Sequence, residues 1–284
     1  MRRFFISLLV ALVLPLVAGA QAQINTKKVK ISDFTEKITK VVLSGNSFFD
    51  SYFQEEISSR WRVSPYEFCT LEEFETLKTD DNYYFLLTTK GQFRKEKEPG
   101  LQFLVLAKGG KAAEEGISSM LEIVSLPYAS AENPSGRELV VMPIFLDIIQ
   151  HYAVDSMDKD ISAYTGLSSY TVNLSKSGNK KIVFSKDDLS GEVTEEIIST
   201  YFDKNMCTAQ ENDADNIFIN GTPDILVSYV AAPTDPQNGS YCYKMLIDSQ
   251  THELYYYRKH RISKKYGRGF LPEDIKRISS AHSK

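Results

Sequence analysis

Acid–base and nucleophilic chemistry needs a small set of residue types, and this chain offers few of them at workable spacing. There are four histidines: His151, His252, His260 and His282. His151 falls in an apolar stretch and reads as a core or boundary side chain. His252 reads as a turn residue, because His252-Glu253 lacks the second histidine four positions on that a zinc-protease helix carries. His282 falls in a polar tail expected to be disordered. The three cysteines, Cys69, Cys207 and Cys242, allow at most one internal bridge and read as small buried hydrophobes. No Gly-x-Ser-x-Gly elbow occurs, and neither Cys69 nor Cys207 has a histidine nearby in sequence. The paired carboxylates Glu55-Glu56, Glu72-Glu73, Asp187-Asp188 and Glu195-Glu196 diverge by about 100° on a helix, so they read as solvated faces. Asp155, Asp158 and Asp160 lack the glycine and terminal glutamate of a calcium loop. Tyr266-Gly267-Arg268-Gly269-Phe270 does not sit between a strand and a helix as a phosphate cradle does, and reads as a flexible turn. No cofactor and no metal is expected.

One segment departs from the acidic average. From Leu254 to Phe270 there are six basic side chains, Arg258, Lys259, Arg261, Lys264, Lys265 and Arg268, and no acid. Strict strand alternation puts Tyr255, Tyr257, Lys259 and Arg261 on one face, and Leu254, Tyr256, Arg258, His260 and Ile262 on the other. Aromatic rings beside cations suit an anionic glycan, a lipid headgroup or an acidic protein patch. The candidate binding residues are Tyr255, Tyr257, Arg258, Lys259, Arg261, Lys264, Lys265 and Arg268. The plainer alternative is a charged edge strand that blocks aggregation.

The elements that must position this segment repeat. Lys40–Leu43 resembles Lys181–Phe184, Glu55–Ser59 resembles Glu195–Ser199, Cys69-Thr70 resembles Cys207-Thr208, and Tyr84–Thr88 resembles Leu226–Val230. The offsets run from 138 to 142 residues, which points to a duplicated unit. In the first copy the pattern predicts a strand at 41–43 and a helix over 48–60, with Ser47 and Asp50 at capping-box spacing. A strand at 66–69, a short helix at 71–78 and strands at 83–88, 103–107 and 120–126 follow. In the second copy it predicts a strand at 181–185, a helix over 192–202, and strands at 206–208, 224–231, 241–248 and 252–262. Pro143 suits the first turn of a helix between the copies, with an apolar stripe at Ile144, Phe145, Ile148, Ile149 and Tyr152. The apolar stretch 139–153 is too short to cross a bilayer. The expected fold is α+β: two similar α/β lobes, each strand-helix-strand followed by antiparallel strands, joined by a central helix. The expected division is 24–136, 137–170 and 171–284, after a leader at 1–22.

That leader carries Arg2 and Arg3, an apolar run from Phe4 to Val17, and then Ala18-Gly19-Ala20-Gln21-Ala22. The run falls short of the roughly 20 residues of a spanning helix. The small residues suit signal-peptidase cleavage after Ala20 or Ala22, so a periplasmic or secreted protein without a membrane span is expected. The whole chain is net −4, and loss of Arg2 and Arg3 leaves −6, which gives no global pull toward nucleic acid. The mature stretch resembles uncharacterised secreted proteins of Bacteroidota, through Trp61–Phe68 with Tyr83-Tyr84-Phe85, and Thr251–His260. The strand-helix-strand pattern of each half is similar to the amino-terminal α/β lobe of TolB; such lobes bind other envelope proteins. The expectation is an exported, non-enzymatic envelope protein that binds a protein partner or an anionic envelope component. The alternative is a hydrolase with a site assembled in the cleft between the lobes.

Overall fold

Short apolar runs, each followed by turn residues, set up the same folding unit twice. The computed structural model describes residues 31–157, 166–237 and 239–282, so the leader at 1–22, Asp158, Asp160 and Asn238 lie outside the described residues. The first unit runs β1 (Ile38–Val42), α1 (Ser47–Arg60), β2 (Tyr66–Cys69), α2 (Leu71–Leu77), β3 (Tyr83–Gly91), β4 (Leu101–Lys108), β5 (Leu121–Ser130) and α3 (Arg137–Met157). The second runs β6 (Lys181–Ser185), α4 (Glu195–Tyr201), β7 (Met206–Ala209), α5 (Glu211–Asn220), β8 (Ile225–Ala231), β9 (Tyr241–Asp248), β10 (Leu254–Arg261) and α6 (Pro272–His282). The sheets are ordered β2-β1-β3-β4-β5 and, in matching positions, β7-β6-β8-β9-β10. In each, the first three strands are parallel and the rest antiparallel.

The duplication extends to register. Val42 pairs with Cys69, and Val183 with Cys207. Val41 pairs with Leu86, and Ile182 with Leu226. The third strands therefore align at an offset of 140, Leu86 with Leu226, not at the 142 read from the sequence. A slip of two keeps each side chain on its own face of the strand, so the apolar pattern cannot distinguish the two alignments. The closing helices match as well: α3 follows β5 and packs on α1, and α6 follows β10 and packs on α4.

Local chemistry corrects several boundaries. Asn46 caps α1 in place of Ser47, accepting the Phe49 N–H at 3.1 Å, while Asp50 folds back onto the N–H groups of Ser44 and Gly45. The helix expected at 192–202 starts at Glu195, where Thr194 caps it. Two helices were not anticipated. In α5, Ala214 and Phe218 turn inward and Gly221 closes the end at φ +55°. In α6, Ile275 and Ile278 turn inward, and His282, expected in a disordered tail, is buried with Nδ1 2.6 Å from Ser177 Oγ. Phe270, expected in a flexible turn, is core: its ring meets Phe184 and Tyr256.

α3 begins six residues before Pro143, not at it. An internal proline leaves the carbonyl four residues back without its helical donor. That carbonyl is Leu139, and the Tyr52 hydroxyl of α1 donates to it at 2.6 Å. At 21 residues α3 is long and apolar enough to cross a bilayer by length and composition. Most of its apolar residues are buried instead, against β5, α1 and α5.

The second sheet has two covered faces. Val227, Tyr229, Tyr243, Met245 and Ile247 join the first lobe's core, whereas Leu226, Val230, Cys242, Leu246 and Tyr256 pack with Phe270, Ile275 and Ile278. At the junction lies the guanidinium of Arg137, the first residue of α3. Its Nε donates to Asp215 at 2.7 Å, Nη1 to Asp188 at 2.9 Å and Nη2 to the Ser228 carbonyl at 3.2 Å. Its plane lies over the Tyr229 ring at 5.0 Å. Burial opposes the charge, but Asp188 and Asp215 outweigh it and hold Arg137 above its ordinary pKa. The Tyr229 hydroxyl donates to the Tyr128 carbonyl on β5.

Replacing Tyr52 by Phe leaves the Leu139 carbonyl without a donor. This should lower unfolding free energy by about 1 kcal/mol. Leu139→Ala, which keeps that bond, should leave the Tyr52 hydroxyl protected. Chemical denaturation of both variants checks this; a Tyr52→Phe chain as stable as the parent contradicts it.

Candidate functional site

The basic segment is β10 and the loop that follows it. Its strand is not an open edge: Thr171 Oγ1 donates to the Tyr257 carbonyl at 3.3 Å and accepts its N–H at 3.2 Å, and Asn173 donates to the Leu254 carbonyl at 3.1 Å. A β-bulge between Leu254 and Tyr256 breaks strict alternation. Leu254 and Tyr257 therefore face the first lobe's core, while Tyr255 and Tyr256 pack into the second. Neither Tyr255 nor Tyr257 presents its ring as the alternation reading required. Tyr255 is buried, and Tyr257 packs 6.0 Å from the Tyr243 ring.

Arg258 is also committed elsewhere, facing Asp274 at 3.7 Å. Asp274 is the centre of a buried knot. It pairs with Lys244, accepts the Tyr256 hydroxyl at 2.6 Å and accepts the Leu271 N–H at 2.9 Å. That knot seats α6 on the sheet. The remaining five predicted residues, Lys259, Arg261, Lys264, Lys265 and Arg268, are exposed. Among the described residues none of the five has a carboxylate partner within ion-pair distance. Lys259 lies over the rings of Tyr241 and Tyr243 at 5.2 and 5.6 Å, and Arg261 lies over Tyr241 at 5.3 Å while donating to its hydroxyl. Tyr241, on the neighbouring strand, is the ring that sequence alternation missed; cross-strand pairing of Arg261 with Tyr241 brings it there.

The loop carrying Lys264, Lys265 and Arg268 is held at both ends. The Ile262 N–H donates to the Ser240 carbonyl at 2.8 Å. At the far end, the Phe270 N–H donates to the Asp188 carbonyl at 2.7 Å. Gly269 has φ +106°, and a Cβ there would lie 2.6 Å from the Ser190 nitrogen, so only glycine fits. His260 is half-buried, with Nε2 2.7 Å from the Gly267 carbonyl; burial, followed by the Lys244 charge, lowers its pKa.

Groups that could support catalysis are placed differently. Cys242 stands directly across from His260 in the β9–β10 register, a cysteine–histidine pair that the sequence spacing concealed. The thiol is 0% exposed, and burial pushes its pKa up to about 11, which favours the inert thiol over the nucleophilic thiolate. Cys69 is held at about 11 for the same reason. All three cysteines are unpaired.

A cavity of about 400 Å³ opens between α3, the segment at Gly166–Lys176 and the β9–β10 turn. Its lining includes Gln150, His151, Asp155, Tyr170, His252 and Glu253. His252 adopts φ +57°, and its Nδ1 lies 2.6 Å from Asp147 Oδ2, which Arg60 also approaches at 3.1 Å. His151, expected in the core or at its boundary, is exposed at this cavity. No serine, threonine or cysteine is among the described lining residues. Among the described residues no cluster of His, Cys, Asp and Glu could hold a metal ion.

No protein-family model matches the chain, and no curated protein or solved structure does.

Glu122 on β5 feels the charge of Lys259 on the basic strand. Burial raises its pKa to about 7, opposed by the Lys259 charge. The folded chain thus retains a proton there between the ordinary carboxylate pKa and about 7, while the unfolded chain does not. Its contribution to stability falls as pH rises through that window. Glu122→Gln should therefore match the parent near pH 4.5 and exceed it above pH 7, by about 1–2 kcal/mol. Denaturation at both pH values tests this; a variant less stable than the parent at pH 8 contradicts it.

Proposed function

We propose that this chain is an exported, non-enzymatic protein of the cell envelope that binds an anionic partner or envelope component. The observation that carries the reading is the cation set at the end of β10. Lys259, Arg261, Lys264, Lys265 and Arg268 are exposed and, among the described residues, have no carboxylate partner. Several other cations are paired, Lys40 with Glu67, Lys108 with Asp33, Lys180 with Asp248 and Lys244 with Asp274, so what sets these five apart is their clustering on one strand and the loop that follows it. Unpaired cations fixed on an ordered strand and loop are available to an incoming anion without breaking an internal bond. The protein's net charge of −4 supplies no such attraction overall, so the attraction is local. Tyr255, Tyr257 and Arg258 act in this reading as the packed support beneath the surface.

A hydrolase in the cleft is the second reading. One observation favours it: Asp147 orients His252 at the edge of the cavity between the lobes. An aspartate fixing one ring nitrogen leaves the other free to accept a proton. The described lining offers no serine, threonine or cysteine for that base to activate, which is why binding is preferred.

The test compares the parent chain with a Lys259→Ser, Arg261→Ser, Lys264→Ser, Lys265→Ser variant in pull-downs from an envelope extract, at low and high salt. Single exposed charges contribute about 0–1 kcal/mol each, so the fourfold variant should lose about 1–3 kcal/mol of binding. Its fold should persist, because the four heads are in water. Equal recovery of the same partners, with the same salt response, would falsify the proposal.

A further inference from the structure

We infer that the first lobe completes this surface, and that its occupant is a linear anionic polysaccharide lying across both lobes. The inference rests on the binding reading above and adds a second half to the site. The β3–β4 loop of the first lobe, residues 92–100, lies against Gln237, Gly239 and Tyr241 of the second. The Phe93 ring sits 4.6 Å from that of Tyr241. The Lys97 N–H donates to Gln237 Oε1 at 2.9 Å. Gly239 has φ +107°, and a Cβ there would lie 2.3 Å from the Cβ of Lys95. The two lobes therefore meet backbone to side chain at this point, and Tyr241 is shared: Phe93 packs on it from one lobe, and Lys259 and Arg261 cover it from the other.

The loop sequence Arg94-Lys95-Glu96-Lys97 reads as mixed charge, but the fold separates its signs. Glu96 is buried and accepts the Phe93 N–H at 2.8 Å. Arg94, Lys95 and Lys97 are exposed, and among the described residues none has a carboxylate within ion-pair distance. These three cations extend the row formed by Lys259, Arg261, Lys264, Lys265 and Arg268. The row ends at Glu98, which belongs with Glu132 and Asp235 to an acidic notch between the lobes.

The chemistry of the surface selects among polyanions. Single-stranded nucleic acid is held by open aromatic platforms on which bases stack; Phe93, Tyr241 and Tyr243 are packed on one another or covered by cations. A bilayer is held by apolar side chains that insert beside the charges; of the large exposed apolar side chains among the described residues, only Tyr266 lies here. A protein interface needs a desolvated apolar centre, which this wet, charged row lacks. A chain of uronate or sulfated sugars needs only spaced cations on a hydrated surface, and repeats its charge along a length that can reach both lobes.

The experiment titrates the folded chain with polygalacturonate, using its fully methyl-esterified form as the neutral control, at 50 and 300 mM salt. Phosphatidylglycerol vesicles and oligothymidylate are the competing probes. Arg94→Ser/Lys95→Ser/Lys97→Ser is compared with the fourfold second-lobe variant, both checked for folding by circular dichroism. The expected result is salt-sensitive binding of polygalacturonate, none of its ester, and at least a fivefold loss in each variant. A first-lobe variant that binds as the parent does, while the second-lobe variant is weakened, overturns the shared site but leaves the binding reading standing. Tighter binding of vesicles or oligothymidylate overturns the polysaccharide assignment. Absence of any effect in both variants overturns the inference and the binding reading together.

Discussion

A buried guanidinium is the constraint from which the rest of this structure can be reasoned. Taking Arg137 out of water costs several kcal/mol unless its donors are met together. They are met by groups distant in sequence: Asp188 beyond β6, Asp215 on α5 and the Ser228 carbonyl on β8. Asp188 is held in turn by the Ser228 hydroxyl, which accepts the Ser185 N–H. The Asp188 carbonyl accepts the Phe270 N–H, and the Phe270 carbonyl accepts that of Ser190. The charge at the start of α3 thus fixes the loop after β6, and that loop fixes the end of the basic loop 263–269. The proposed binding surface is anchored to the interior through these steps.

Duplication explains why one helix serves both lobes. Each unit closes with a helix packed on its own first helix, and α3, the closing helix of the first, carries its N-terminal arginine into the second. The match of register at Val42–Cys69 and Val183–Cys207 shows two copies built on one plan. They differ in what they meet: α3 packs on α1 and on α5 of the second unit, whereas α6 packs on α4 and on the segment Gly166–Lys176.

The α+β class, the two lobes and most strands were legible because alternation and short apolar runs are local signals. What the sequence left unread has physical causes. Pro143 reads as a helix start because its own preference is for the first turn, whereas a hydroxyl 91 positions away, on Tyr52, compensates it within the helix. The bulge at Leu254–Tyr256 has no residue signature and moved Tyr255 to the opposite face, while Tyr257 keeps the face it shares with Lys259 but is covered by the first lobe's core. The α5 helix had a signal, Ala214, Ile217 and Phe218 followed by Gly221, masked by a polar first turn. Of the site, the exposed cations were readable as a run without acids. Tyr241 and the first-lobe loop were not, because Glu96 hides the charge separation that burial creates. Arg137 carried no pattern at all, since its partners lie 51 to 91 residues away.

Arg137 is expected to join the two units into one cooperative body. Trp61, the single tryptophan, reports on the first lobe, and the buried thiol of Cys242 reports on the second. With Cys69 and Cys207 replaced by alanine, urea unfolding can be followed by Trp61 fluorescence and by labelling of Cys242. The account predicts coincident transitions in the chain that keeps Arg137. In Arg137→Met, which strands Asp188 and Asp215, it predicts a loss of about 3–5 kcal/mol with Cys242 exposed first. Separate transitions with Arg137 in place, or an Arg137→Met chain that unfolds as its parent does, would contradict it.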